Sequence, residues 1–206
     1  LFNALAAGEA EVTTFRPGAD MRSSAAALTR LGAVTASSVA PDGTRSYTVR
    51  GGGGVTSAGL PGSGGESLDC GNSGTTMRLF AGALAGRPLP VELTGDGSLS
   101  RRPMERVAKP LRTMGADIAT TDGKPPVTVR PVPALHAIDY DLPMASAQVK
   151  SAILLAALQA EGETNLLEPA PTRDHTERML RGFGVQVHCE GRRVRLAGGQ
   201  KLTGSR

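Results

Sequence analysis

The sequence predicts an α/β domain of three βαβαββ units with pseudo-threefold symmetry, in which buried helices lie inside outer sheets. Three observations support this prediction. A layout of helix, extended segment, second helix and paired strands recurs three times along the 206 residues. The first helices of the second and third copies are apolar on nearly every face, as at 152–158, and such helices are buried. Aromatic residues make up only 3% of the chain, so the core is expected to be aliphatic.

Glycines at matching places mark the ends of the predicted helices, because glycine commonly follows the last apolar residue of a helix. In each copy, one glycine ends a Leu- and Ala-rich first helix and another ends an amphipathic second helix. These pairs are Gly8 and Gly32, Gly86 and Gly115, and Gly162 and Gly184. We expect a single domain whose internal repeats cover about 1–67, 68–142 and 143–206.

The first copy is shorter at its beginning than the other two. The second and third copies have a full first helix, from about Ser73 and Ser146, whereas the first has only the last turns of one. Residues 1–8 lack an initiator Met and the basic start of a signal peptide. We therefore expect the natural chain to begin earlier, so that the first helix is truncated here.

Composition restricts the function classes. The net charge is +4 and the isoelectric point is about 9.5, which suits an anionic ligand. Nucleic acid is the weaker interpretation, because proteins that bind single strands usually combine basic grooves with stacking aromatics, which are scarce here. The chain has no run of 18 apolar residues, so no membrane span is expected.

The cysteines and the glycine-rich loops indicate no further chemistry. Cys70 and Cys189 are far apart and outside any CxxC pattern, which argues against a disulfide framework or a zinc site. We expect two half-buried free thiols in the reducing cytoplasm. Residues 51–54 and 62–65 are interpreted as flexible loops rather than a phosphate loop, because no GK[ST] sequence follows them.

Two predicted helix starts are candidate anion sites. A turn rich in Gly, Ser and Thr at 68–78 leads into the second copy's buried helix, where free backbone N–H groups and a partial positive charge face outward. The third copy has the equivalent start at 143–151, with Ser146 and Gln148 as side-chain donors. The residues alone leave open whether these polar side chains bind an anion or only cap the helices.

Arginines stand beside further helix starts. Arg101 and Arg102 precede Pro103, which suits the first turn of a helix, and arginine grips carboxylate or phosphate with two parallel bonds. A solvated surface pair is the alternative. Arg173 also sits at a helix start, where Thr172 or Asp174 could be the cap, and the adjacent His175 is interpreted as a surface or capping residue, or as a base.

Four segments in this order resemble the EPSP synthases, the 3-phosphoshikimate 1-carboxyvinyltransferase family. They are LDCGNSGTTMR at 68–78, GDGSLSRRPM at 95–104, ASAQVKSA at 145–152 and RDHTE at 173–177. The resemblance implies enolpyruvyl transfer from phosphoenolpyruvate to shikimate 3-phosphate with release of phosphate, in the shikimate pathway of aromatic amino-acid biosynthesis. It also implies a parent of two similar domains with a cleft between them, of which this chain would be one.

The resemblance implies a role for particular residues. Gly74 and Arg102 would contact phosphoenolpyruvate, and Gln148 would lie between the two substrates. Shikimate 3-phosphate would be bound by Ser146, Ala147, Gln148, Thr172 and Arg173. No cofactor and no metal are implied, and the parent is expected to be a cytoplasmic monomer. A glycine at position 74 further implies that the parent is sensitive to the herbicide glyphosate.

The same resemblance implies that important groups lie outside this chain. The family's first-unit Lys-Ser pair and nearby Arg precede Leu1, and its acid–base groups belong to the second domain. No catalytic residue is therefore expected here, and the chain alone is expected to be inactive. Two alternatives are a non-catalytic phosphate-ligand binding module and the related UDP-N-acetylglucosamine enolpyruvyl transferase, whose reactive loop cysteine Cys70 does not resemble.

Overall fold

The computed structural model describes residues 1–52 and 66–204. Along this part of the chain, helices and strands follow one another in the predicted order. The first unit consists of α1 (Phe2–Leu5), β1 (Ala7–Phe15), α2 (Ala19–Arg30), β2 (Val34–Val39) and β3 (Thr44–Gly52). The second unit consists of β4 (Glu66–Asp69), α3 (Gly74–Leu84), β5 (Val91–Thr94), a 3-10 turn (Leu99–Arg101), α4 (Glu105–Thr113), β6 (Asp117–Thr121) and β7 (Lys124–Arg130).

The third unit repeats this order with one added strand pair. It consists of β8 (Leu135–His136), β9 (Asp139–Asp141), α5 (Ala147–Ala157), β10 (Ala160–Glu161), β11 (Glu163–Leu167), α6 (His175–Gly182), β12 (His188–Glu190) and β13 (Arg193–Ala197). The short strands β8 and β10 pair with each other in parallel. The mixed α/β class predicted from the sequence is thus confirmed.

The two four-stranded sheets share one strand order. In the second unit the order is β4-β5-β7-β6, and in the third it is β9-β11-β13-β12. Each begins with a parallel pair, β4 with β5 and β9 with β11, and continues with antiparallel pairs. The first unit contributes β1-β3-β2, all antiparallel. Matching strand orders agree with a repeated unit, whereas the pseudo-threefold packing of the units stays a prediction.

The glycines behave partly as expected. Gly32, Gly115 and Gly184 follow the second helices with φ of 75°, 93° and 81°, a left-handed backbone that favours glycine. Gly8 and Gly162 share a φ of 96°, but they lie several residues beyond the end of α1 and α5, inside or beside strands. The prediction that they end the first helices directly was therefore wrong in detail, because a short extended segment comes first.

Helices α3 and α5 form the centre of the core. Most of their side chains are buried, including Phe80, Leu84, Ile153 and Leu154. Their backbones approach so closely that a Cβ placed on Gly82 would lie 2.1 Å from the carbonyl oxygen of Ala152. Only glycine fits this contact, and the contact brings the starts of the two helices side by side.

Three local predictions need correction. Pro103 precedes Met104, the N-cap of α4, and so lies outside the first helical turn. Cys70 is buried and Cys189 is exposed, whereas half-buried thiols were expected; both are free. Gly51 and Gly52 belong to β3, where they pair with Gly8 and Ala7.

Other expectations fall outside the part that the structure describes. Residues 53, 54 and 62–65 of the predicted glycine-rich loops lie beyond the described ranges. Within 1–52 and 66–204, none of the helices is long and apolar enough to cross a membrane.

The substitution Gly82→Ala should destabilise the domain. Its methyl group would collide with the backbone of α5, and overpacking of a core typically costs about 1–3 kcal/mol. Urea unfolding followed by circular dichroism measures the change. The control is Gly182→Ala in α6, where a Cβ meets nothing within 4 Å. This variant should keep or slightly raise stability, because alanine is the better helix former. Equal stability of the two variants would contradict the close contact of α3 with α5.

Candidate functional site

The start of α3 is built by a tight polar turn. Ser73 is the N-cap, and its Oγ accepts a hydrogen bond from the N–H of Thr76 at 3.1 Å. Just before it, Gly71 adopts a left-handed φ of 56° and donates its N–H to Asp69 Oδ1 at 2.8 Å. The helix begins at Gly74, as the sequence predicted, and its first-turn N–H groups point away from the helix toward any ligand.

A chain of hydrogen bonds fixes Arg102 beside this start. Arg102 Nη2 donates to Asn72 Oδ1 at 2.5 Å, and Asn72 Nδ2 donates to Asp96 Oδ2 at 2.8 Å. Asp96 Oδ1 in turn accepts the N–H groups of Ser98 and Leu99. The hydrogen bond from Asn72, followed by those from the backbone, lowers the pKa of Asp96 below its ordinary value. An ionised carboxylate therefore orients Asn72, and Asn72 orients the guanidinium.

Arg78 was not among the predicted site residues, although it lies one turn after Gly74 on α3. It is only 5% exposed. Its Nη1 donates to Gln148 Oε1 at 2.6 Å and its Nη2 to the carbonyl of Pro103 at 3.4 Å. Burial, followed by the charges of Arg106 and Arg102, lowers the pKa of Arg78 to about 10. Both of these hydrogen-bond partners are neutral, and within 1–52 and 66–204 no carboxylate contacts this guanidinium.

Gln148 joins the two helix starts. It is the second residue of α5, and its Nε2 donates to Thr75 Oγ1 on α3 at 2.9 Å while its Oε1 accepts from Arg78. Ser146 is the N-cap of α5, where its Oγ accepts from the N–H of Val149 at 3.4 Å. The amide group of Gln148 has a second N–H that can still donate to a ligand.

The residues expected to bind shikimate 3-phosphate line a single pocket of about 470 Å³. It lies between the start of α5 and the loop before α6, and its lining is Ala145, Ser146, Ala147, Gln148, Pro171, Thr172 and Arg173. Arg173 is exposed, and within the described ranges it makes no hydrogen bond or ion pair. Asp174 is the N-cap of α6, one of the two caps that the sequence offered, although its side chain makes no capping hydrogen bond.

The two predicted residue sets are adjacent. A smaller cavity of about 180 Å³ contains Gln148 and Arg173 and extends to Thr75 and the exposed His175. On its α3 side, a Cβ at Gly74 would lie 2.7 Å from Arg78 Nη1 and 3.3 Å from Arg102 Nη1. Both guanidinium groups therefore border the space directly in front of Gly74. Arg101 is not part of this arrangement, because it is exposed at the end of the 3-10 turn.

A second open pocket, of about 480 Å³, lies at the sheet β9-β11-β13-β12. Its lining combines Arg193 and Arg195 with the carboxylates of Asp139, Asp141 and Glu190. Mixed charges of this kind suit an anion less well than the helix-start pocket does. Among the described residues there is also no group of three or more His, Cys, Asp or Glu that could hold a metal ion.

The arrangement defines a class of site: two adjoining helix N-termini bordered by arginines, in a mixed α/β domain. Helix N-termini and arginines are groups that suit anionic ligands. Comparison with known proteins identifies the family. Residues 1–206 match the family model for EPSP synthase (3-phosphoshikimate 1-carboxyvinyltransferase). The chain belongs to the EPSP synthase family.

Individual relatives are similar over nearly the whole chain. The 3-phosphoshikimate 1-carboxyvinyltransferase of Acidithiobacillus ferrooxidans is 50% identical over 99% of this chain and 45% of its own length. That of Alkalilimnicola ehrlichii is 53% identical over 99% of this chain and 44% of its own length. A solved structure of EPSP synthase from Acinetobacter baumannii is 50% identical, with a TM-score of 0.87 over 98% of this chain and 44% of that chain. The chain thus spans about half the length of the relatives that it matches.

Proposed function

We propose that this chain supplies part of the substrate cleft for enolpyruvyl transfer from phosphoenolpyruvate to shikimate 3-phosphate, within a full-length polypeptide of the shikimate pathway. The observation that carries the proposal is the meeting of two helix starts at Gln148, flanked by Arg78, Arg102 and Arg173. Both proposed substrates are phosphorylated anions. Helix N-termini and arginines are the groups that bind such anions most effectively.

The phosphate of shikimate 3-phosphate is assigned to the start of α5. Ser146 and Ala147 would offer hydroxyl and backbone donors there, and Arg173 would add a guanidinium from the opposite wall of the same pocket. Since Arg173 is exposed, its side chain can turn toward a ligand. Thr172 lines the same pocket, although its hydroxyl already donates to Glu168.

Phosphoenolpyruvate is assigned to the space in front of Gly74. Arg102 is held at its border by Asn72, and Arg78 adds a second, buried positive charge. Gln148 stands between the two assigned positions, with one N–H available for a ligand. In this proposal the side chains of the chain bind and orient both substrates. None of them is assigned to acid–base transfer, and no metal or cofactor takes part.

The related UDP-N-acetylglucosamine enolpyruvyl transferase is the less suitable alternative. That enzyme uses a reactive cysteine in a mobile loop. Burial, together with the neighbouring charge of Asp69, raises the pKa of the Cys70 thiol to about 12, so this thiol is poorly suited to act as a nucleophile. The family model and the curated relatives also match EPSP synthases by name.

We propose that the functional unit is a monomer in the cytoplasm, in which the second domain of the parent chain closes over this one. The acid–base groups and further arginines of the family would come from that domain. By itself, the chain would act as a phosphate-ligand binding module.

The isolated chain should bind its substrates without catalysing enolpyruvyl transfer. Purified chain, supplied with both substrates, should release no measurable phosphate in a coupled assay, because general acid–base transfer typically contributes about 10²–10⁴-fold. Addition of the complementary half of a family member serves as the positive control and should restore phosphate release. Enolpyruvyl transfer by the chain alone would contradict the proposal that the acid–base groups lie elsewhere.

The substitution Gly74→Ala in a full-length family member that contains this chain should weaken inhibition by glyphosate. The added methyl would displace the guanidinium tips of Arg78 and Arg102 and narrow the space assigned to phosphoenolpyruvate. Inhibition constants against phosphoenolpyruvate measure the effect, and a rise of at least about tenfold is expected for the loss of one good polar contact. Gly97→Ala is the control, because its Cβ would meet only Arg101 Nη1 at 3.9 Å. Unchanged inhibition of Gly74→Ala would refute this assignment.

A further inference from the structure

A buried ionic cluster lies directly behind the pocket at the start of α5. Lys150 is 1% exposed, and its Nζ donates to Glu168 Oε2 at 2.9 Å and to Glu177 Oε1 at 2.6 Å. Burial alone would lower the pKa of Lys150, but the hydrogen bonds and charges of Glu177 and Glu168 outweigh it and raise that pKa. The lysine is therefore charged and bound to two carboxylates at once.

The two carboxylates stand on either side of one loop. Glu168 directly follows β11, and Glu177 lies in the first turn of α6. The intervening segment, 169–174, carries both Thr172 and Arg173. The ammonium group of Lys150, which belongs to α5, thus links the residue before this loop to helix α6, which follows the loop.

A residue within the loop 169–174 also bonds to this cluster. Thr172 Oγ1 donates to Glu168 Oε1, the carboxylate oxygen that Lys150 leaves free. At the base of the loop, the N–H of Glu168 donates to the carbonyl of Arg192 at 2.9 Å, and Arg192 Nη1 donates to the carbonyl of Pro169 at 2.7 Å. Thr172 directly precedes Arg173 in the sequence. The hydrogen bond from Thr172 to Glu168 therefore restrains the residue next to the Arg173 guanidinium.

We propose that Lys150 and Glu168 are positioning residues that hold the backbone at Arg173 at a fixed place relative to the start of α5, and that Thr172 serves as the loop's anchor to Glu168. The anion pocket is then ordered before its ligand arrives, which lowers the entropy lost on binding. This inference rests on the proposed function for its ligand, shikimate 3-phosphate. The assignment of Thr172 changes from a direct ligand to a link between the ionic cluster and Arg173.

The two possible roles of Thr172, direct contact with the substrate and anchor of the loop, predict different behaviour of the ligand-free protein. If the Thr172 hydroxyl only contacts the substrate, its removal leaves the ligand-free loop as ordered as before. If it anchors the loop, its removal increases local opening of 169–174 even when no substrate is present. Amide hydrogen exchange measures this opening directly.

The experiment compares exchange rates in the ligand-free 206-residue chain with those of Thr172→Val, which keeps the shape and loses the hydroxyl. The amides of Glu168 and Arg178, which donate to the carbonyls of Arg192 and Asp174 at the two ends of the loop, should exchange about tenfold faster, the amount expected for one hydrogen bond to a charged group. The rest of the protein should exchange as before. The matched control, Thr113→Val, loses the hydroxyl bond to the Lys109 carbonyl on an exposed helix end and should leave the loop rates unchanged.

A second pair of variants tests the cluster itself. Glu168→Ala should raise the loop exchange at least as much as Thr172→Val, and Glu168→Gln should largely restore slow exchange, because an amide can still accept from Lys150 and bond to Thr172. Loop rates that stay at the wild-type level in Thr172→Val, or that rise equally in Thr113→Val, would overturn the inference. Since no substrate is present, either result is separate from success or failure of the enolpyruvyl-transfer proposal.

Discussion

The close contact between α3 and α5 determines where the functional groups stand. Gly82 lets the two backbones touch, since any side chain there would overlap the carbonyl of Ala152. With the helices this close, their N-terminal ends open on the same side of the domain. Gln148 can then reach Arg78 and Thr75 across the junction. A wider spacing would separate the two anion positions and break the amide bridge between them.

The protein uses buried cations in two different ways. Lys150 is bound to two carboxylates, so its charge is satisfied internally and serves to hold elements together. Among the residues that the structure describes, Arg78 bonds to an amide oxygen and a backbone carbonyl and to no carboxylate, so its charge remains for a ligand. Leaving a buried charge without a countercharge is costly, and the lowered pKa of Arg78 reflects this cost. An arriving phosphate or carboxylate group would supply the missing countercharge, which agrees with the proposed substrates.

The sequence predicted those parts of the site that depend on local patterns. Ser73 and Ser146 are N-caps, as expected from the change from polar turn to apolar helix, and Gly32, Gly115 and Gly184 are left-handed as helix stops require. Contacts between distant segments could not be predicted from local patterns. Arg78 and Gln148 are 70 positions apart in the sequence. The apolar pattern of α3 did not indicate that an arginine would be buried within it. The ion pairs of Lys150 could not be predicted either, because its carboxylate partners come from the end of a strand and from another helix.

We propose that the adjoining starts of α3 and α5 form one anion site. The most direct test is a nuclear magnetic resonance titration of the chain with shikimate 3-phosphate at millimolar concentrations, following backbone amides and the arginine side-chain signals. If the two helix starts form one site, saturable shifts are expected at 146–148 and at the Arg173 guanidinium, with smaller shifts at Gly74 and Thr75 through Gln148. Shifts confined to the sheet pocket around Arg193 and Arg195, or no saturable shift at all, would contradict it.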